Sequence, residues 1–434
     1  MARTLSSMFP LCISLMLLSS CSSGHRATSS QKNFVSGDLH IGAVVDIVQL
    51  FQEEAVGRDS IFHRVCAATR SEASTSTANV VPIFLRQFQV IATSKGKVLA
   101  DYFSHPGLAV NDDVHIWTYL QRLADSAVEF DLAILQNRVD QMGISDVKIE
   151  KRGARGVVIE VSDAGDTSSL RRLLLSRGRL EFCLMKDPGV AATILERIDN
   201  YLAAESLPKG DPDKERLREL AKVTGGKSSI DSARMADSLS YSGLSREQGI
   251  AKYTREHPFM VLMTKGMDPK TGRVYVAESD RNEIQKILAR PDIRQLYPDE
   301  MNISFSRPLP SENSGENFYE VYFLNSKAEL TGKTITDVRA EVTQKNGAPD
   351  LLLQMDDVGS IRWKEVTGAN INKQIAIVLD GTVYSAPVVR AAIYGGSTQI
   401  TEAGTMGEAL MLAAILKAGE LPAPLQAVSF EILR

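Results

Sequence analysis

No apolar run in this chain is long enough to cross a bilayer as a helix, and that limit decides what it can fold into. A spanning helix needs about 20 consecutive apolar residues. The longest late run, residues 409–416, has eight. The early one, residues 8–18, is interrupted by Pro10, Cys12 and Ser14. A chain of 434 residues with 44% hydrophobic side chains must therefore bury its apolar surface in layers of its own helices and strands. That length predicts two or three domains. A net charge of −4 and a pI near 6.0 argue against a nucleic-acid binder, which needs a concentrated basic face. Local basic pairs such as Lys151-Arg152 and Arg171-Arg172 have acidic neighbours and read as solvated faces.

The N-terminal residues read as an export signal. Arg3 is a short positive region, and residues 8–18 fit a signal-peptide apolar core. Leu18-Ser19-Ser20-Cys21 has the form of a bacterial lipobox, in which small residues precede a cysteine whose thiol takes a diacylglycerol. The expectation is a signal over residues 1–20, lipidation at Cys21 and a polar tether over residues 21–36. The plainer alternative is an ordinary secretory signal cut nearby, with Cys21 incidental. Ser22 after the cysteine leans towards an outer-membrane address in a two-membrane envelope, and the body is expected to face the periplasm.

Period-two and period-3.6 patterns alternate through residues 37–185. Residues 41–48 predict a strand. Val128, Leu132, Leu135, Val139 and Met142 form the apolar stripe of a helix that Gly143 ends. Residues 147–151 and 157–161 predict two strands around a turn at 153–156. Thr167 or Ser168 caps a helix carrying Leu170, Leu173 and Leu174, and residues 179–184 predict a closing strand. The order β-α-β-β-α-β is that of a ferredoxin-like sheet, with residues 50–125 inside it and a loop at 71–77. Residues 186–318 read as a separate α/β insertion: helices over 191–205, 216–222 and 279–288, a linker at 208–214, and a loop at 308–315. A hairpin of 258–264 with 273–277 turns at Pro269-Lys270-Thr271-Gly272.

Residues 319–424 form a further unit. Residues 351–355 predict a buried strand. Asp380-Gly381 between residues 375–379 and 382–384 is a strong hairpin signal, since a type I′ turn needs positive φ at both positions. Thr405 and Glu408 form a capping box for a helix carrying Ala409, Leu412, Ala413 and Leu416, which Gly419 and Pro422 end. Residues 425–434 predict a terminal strand returning to the first sheet.

Signatures of catalysis and metal binding are missing from the sequence. The histidines at 25, 40, 63, 105, 115 and 257 are scattered. Gly225-Gly226-Lys227-Ser228 resembles the end of a phosphate loop, but Ala221 stands where its first glycine belongs. Asp356-Asp357 reads as a surface turn. The expectation is no enzyme, no metal and no cofactor. Cys66 and Cys183 leave two alternatives open, one disulfide or two buried thiols.

Several segments together resemble the SecD family of the bacterial Sec export machinery. They are residues 134–145, Arg179-Leu180-Glu181-Phe182, residues 329–337, residues 367–373 with 375–387, and residues 416–424. The resemblance covers most of residues 128–425. It implies an α+β fold, a ferredoxin-like base with an inserted α+β head on a hinge. It further implies a structural head motif at Thr331, Gly332, Gly368, Asn370, Asp380, Gly381, Ser385, Pro387, Gly395 and Gly396. A role in late protein export follows: the head grips emerging or unfolded polypeptide, beside SecD-, SecF- or SecY-type translocon components. The chain departs from the family in carrying a lipoprotein signal where a membrane helix is usual, and in lacking the bundle of membrane helices that bears proton-path acids. Proton conduction of its own is therefore not expected. The alternative is a lipid-anchored structural or interaction protein that keeps the fold without the transport role.

Overall fold

The structure is a computed structural model and describes residues 38–103, 112–162, 164–222, 245–263, 273–310, 315–342, 348–401 and 403–433. Cys21, the signal, the tether, the expected turn at 269–272 and the Gly225-Gly226-Lys227-Ser228 segment lie outside these residues.

The base is a four-stranded antiparallel sheet of β1 (Asp38–Val45), β2 (Val147–Arg152), β3 (Gly156–Val161) and the terminal strand β15 (Leu425–Leu433), in the order β15-β1-β3-β2. Between β1 and β2 lie helices α1 (Ile47–Glu54), α2 (Ser60–Ala73), α3 (Val81–Ile91) and α4 (Asp113–Gln141). Helix α5 (Thr167–Leu175) follows β3. Asp166, rather than Thr167 or Ser168, caps it, accepting hydrogen bonds from the Ser168 and Ser169 amides. The stripe that predicted a helix from residue 128 continues upstream through Ile116, Leu120, Ala124 and Ala127, so α4 begins fifteen residues earlier, behind the cap Asp112. The base core joins the inward faces of β1 and β3 to α1–α4. Phe51, Phe62, Phe84, Tyr102 and Phe103 pack ring against ring within it.

The expected closing strand of the base proves to belong elsewhere. β4 (Leu180–Leu184) pairs with β12 (Ile375–Leu379) and with β9 (Leu330–Thr331), in the head. Its short apolar run suits a strand with neighbours on both sides: Leu180 and Phe182 enter one core cluster and Cys183 another. The fourth base strand is β15, whose Phe430 and Ile432 pack on the base core. The head is thus an insertion between the last helix and the last strand of the base.

The large head sheet runs β5-β8-β6-β13-β12-β4-β9, built from β5 (Tyr275–Ala277), β6 (Met301–Ser306), β8 (Asn317–Asn325) and β13 (Thr382–Ser385) with those above, and β7 (Leu309–Pro310) pairs with β8. The boundary expected at 318/319 therefore falls inside β8, and the residues read as a separate insertion share a sheet with the head. The expected hairpin of 258–264 with 273–277 is absent from the described residues. Pro258–Met263 is a helix, because the Asp199 carboxylate accepts hydrogen bonds from the Phe259 and Met260 amides at its start, and β5 pairs with β8 instead. A three-stranded sheet of β10 (Ile335–Val342), β11 (Pro349–Met355) and β14 (Ser397–Ile400) completes the head. The helices Asp357–Ala369 and Met406–Ala418 contribute to the same core as this sheet and β12. Asp356, expected in a surface turn, is the cap of the first of these helices, accepting from the Gly359 amide. Thr405 and Glu408 form the capping box of the second. Among the described residues no helix is long and apolar enough to cross a membrane.

Candidate functional site

The chain passes from base to head at residues 176–179 and returns at residues 419–424, and the two passages lie side by side. Arg138, fully buried on α4, bridges them. Its Nη1 donates to the carbonyls of Leu173 and Ser176, and its Nη2 donates to those of Arg177 (3.0 Å) and Gly419 (3.1 Å). Arg177 lies across the returning passage. It donates to the Leu421 and Pro422 carbonyls and pairs with Glu53 of α1 and with Glu420. Burial drives the Arg138 guanidinium down to about 10, against Asp380 and Asp131, which favour its charge. Burial alone would raise Glu53, but Arg177, Gln49 and Arg179 outweigh it and hold the carboxyl below its ordinary range.

The head reaches into this crossing through the β12–β13 hairpin. Asp380 and Gly381 have φ of +50° and +77°, the positive pair that the sequence called for. The Asp380 carboxylate accepts from the Gly178 amide (3.2 Å), the Arg179 amide (2.8 Å) and the Ser176 hydroxyl, while its own amide donates to the Arg179 carbonyl. Gly178 must be glycine. Its φ is +78°, and a Cβ there would stand 2.7 Å from Arg138 Nη2.

The other residues of the expected head motif shape the backbone and do not converge on one cleft. Thr331 pairs with Glu181 at the end of β9, and Gly332 lets the chain pass close to Leu180. Gly368 faces Ala392 across a 3.5 Å gap to a Cβ it lacks, and Asn370 ends its helix by donating to the Val366 carbonyl. Ser385 pairs with Ile377. Gly395 and Gly396, at φ +76° and +66°, turn the chain into β14, and their carbonyls accept from Gln354 Nε2 and the Met355 amide.

Pro387 lines a cavity. This space of about 360 Å³ lies among Trp363, Ile375, Ile377, the segment 387–393 and Thr398, and is open on one side. Its walls are mostly apolar. Trp363 is buried against Phe182, with ring centroids 4.9 Å apart, and its indole N–H has no acceptor. Such a group is a buried donor left unsatisfied. Val358, Ile361 and Tyr394 are exposed on the same helix and loop. Tyr384 lies instead in a separate cleft between lobes, with Arg171, Arg172, Asp380 and Ile415.

The sequence reading missed Asp131, Arg138 and Arg177. The signal was there: Asp131, Leu135, Arg138 and Met142 step by four, three and four, so two charged residues stand within a stripe otherwise apolar. Cys66 and Cys183 are both free and buried, one in the base core and one in the head.

With this geometry in view, the matches to known proteins gain a structural meaning. A model of the SecDF P1 head subdomain matches residues 306–423, and a model of the N-terminal part of the P1 domain of protein translocase subunit SecDF matches residues 128–187. Protein translocase subunit SecD of Rhodothermus marinus is 30% identical over 398 residues, 91% of this chain and 61% of the relative. The SecD of Calditerrivibrio nitroreducens is 42% identical over 309 residues, 71% of this chain and 41% of the relative. The chain thus spans roughly half the length of these relatives. A solved SecDF structure, of a membrane component that enhances protein export, covers 71% of this chain and 94% of its own at 22% identity and TM-score 0.37. The two family models divide the crossing between them: Asp131, Arg138 and Arg177 fall in one, Asp380 and residues 419–423 in the other.

Proposed function

Since this chain belongs to the SecD family through its P1 domain, we propose that it serves protein translocation by holding an emerging or unfolded polypeptide in the head while the base stays fixed. The observation that carries the reading is the open apolar cavity around Trp363. Apolar walls accept side chains of any sequence. A folded partner keeps its apolar side chains internal, whereas an extended one presents them. The reading is one of binding without catalysis. The head moves passively or is driven by a partner on this reading, with SecD-, SecF- and SecY-type translocon subunits as the expected partners.

The test uses tryptophan emission. The chain has two tryptophans, and Trp117 is exposed on α4, so Trp117→Phe leaves Trp363 as the reporter. An unfolded export substrate should shift or quench Trp363 emission saturably, and Ile393→Asp in the cavity wall should weaken that binding about tenfold or more. An emission spectrum indifferent to unfolded substrate would sink the proposal and favour a lipid-anchored structural protein. We also propose that Cys21 carries the anchor, on the lipobox pattern, in the cell envelope and facing the periplasm. Labelled palmitate should enter the wild-type chain and be lost in Cys21→Ser; label retained in the variant would refute the anchor.

A further inference from the structure

Asp131 lies on α4 two turns before Arg138, on the face that meets the returning passage. It is fully buried, and neither carboxyl oxygen has a partner in hydrogen-bonding geometry. The Ala423 amide favours its ionised form, as do the cations Arg138 and Arg177. Neither cation is spare. Arg138 is committed to carbonyls of both passages, and Arg177 to Glu53 of α1, to Glu420 and to the Leu421 and Pro422 carbonyls. Asp380 of the head hairpin draws on both arginines, and Arg179 leans on Glu53 and Glu181. An ionised carboxylate at this place would be a buried charge with no ion pair of its own, whereas a neutral acid buries no charge.

We propose that Asp131 is a protonation-sensitive latch on the base–head crossing: neutral, it lets residues 419–424 pack against α4; ionised, it loosens that passage and frees the head. The inference rests on the reading of the head as a mobile lobe and is independent of what the head binds. Burial pushes this carboxyl up to about 8, with the Ala423 amide, Arg138 and Arg177 pulling the other way. The folded protein therefore keeps a proton that the unfolded chain releases above about pH 4. Wherever the open crossing releases the proton that the closed one keeps, the closed-to-open ratio falls with rising pH by at most about tenfold per unit, and the fall ends above about 8.

The full-length protein with Cys12→Ser and Cys21→Ser, and with Arg152→Cys in the base and Glu341→Cys in the head, both exposed sites, accepts a spectroscopic label on each lobe, since Cys66 and Cys183 are buried. The interlobe distance distribution should be narrow at pH 6 and broad at pH 9 in the parent, and narrow at both in Asp131→Asn. Equal breadth at both pH values in the parent, or a transition that persists in Asp131→Asn, overturns the latch. Infrared spectroscopy reads the carboxyl directly, without dependence on head motion or on the variant's stability. A protonated-carboxyl band should vanish across the same range in the parent, and no such band at pH 6 overturns the proposal. A band that titrates while the distances stay fixed also overturns it, and leaves polypeptide binding in the head untouched.

Discussion

Arg138 takes a guanidinium out of water and gives it four backbone carbonyls in return, two of them on segments nearly 250 residues apart in sequence. The carbonyls gain as much as the arginine does. Each belongs to a helix end or a linker with no repeating partner, and an unbonded buried carbonyl costs about 1–3 kcal/mol. Arg138→Met should therefore destabilise the protein by about 3–5 kcal/mol, the range for breaking a buried charged network. Chemical denaturation followed by circular dichroism measures it. Arg138→Lys should rescue little, because an ammonium cannot reach carbonyls on both sides of the crossing as a planar fork does. A loss below about 1 kcal/mol in either variant would show that the bridging bonds contribute little.

At the scale of elements, local chemistry was legible and pairing was not. Asp380-Gly381, the Thr405/Glu408 box and the stripe on α4 depend on residues within a turn or two of each other, and each forms as its sequence dictates. β4 shows where that reading ends. A five-residue strand with four apolar side chains is compatible with either lobe, and its neighbours β9 and β12 lie about 150 and 195 residues further on. Pro258–Met263 misled for a related reason. Its six residues are apolar enough for a strand, and a carboxylate some 60 residues upstream decides for a helix. The cavity around Trp363 is the harder case, since its walls come from a helix, a strand and a loop whose meeting no spacing announces. The buried residues Asp131 and Arg138 were within reach, as two ionisable side chains in an apolar stripe.

At the scale of the molecule, each lobe carries its own reporter. Cys66 lies in the base core and Cys183 in the head, and burial pushes both thiols up to about 12, where the reactive thiolate is scarce. Neither should react with a thiol reagent in the native protein. Under rising urea the two should become reactive together in the wild type, where the crossing couples the lobes, and at separate concentrations in Arg138→Met. Thiols that react in the native state would contradict the burial. Simultaneous exposure in the variant would show that the lobes are coupled elsewhere, for instance where Leu173 of α5 packs on Met411, Ala414 and Ile415 of the Met406–Ala418 helix.

Because both covalent links to the head leave the base side by side, the assembly behaves mechanically like a flag on a pole pinned at one corner. A pull on the head's far edge turns into torque about that corner, and the guanidinium there acts as the rivet. Residues 176–179 and 419–424 would stretch only after the rivet had sheared, so, under the proposed function, a tug along a held chain would first swing the lobe and leave both cores intact.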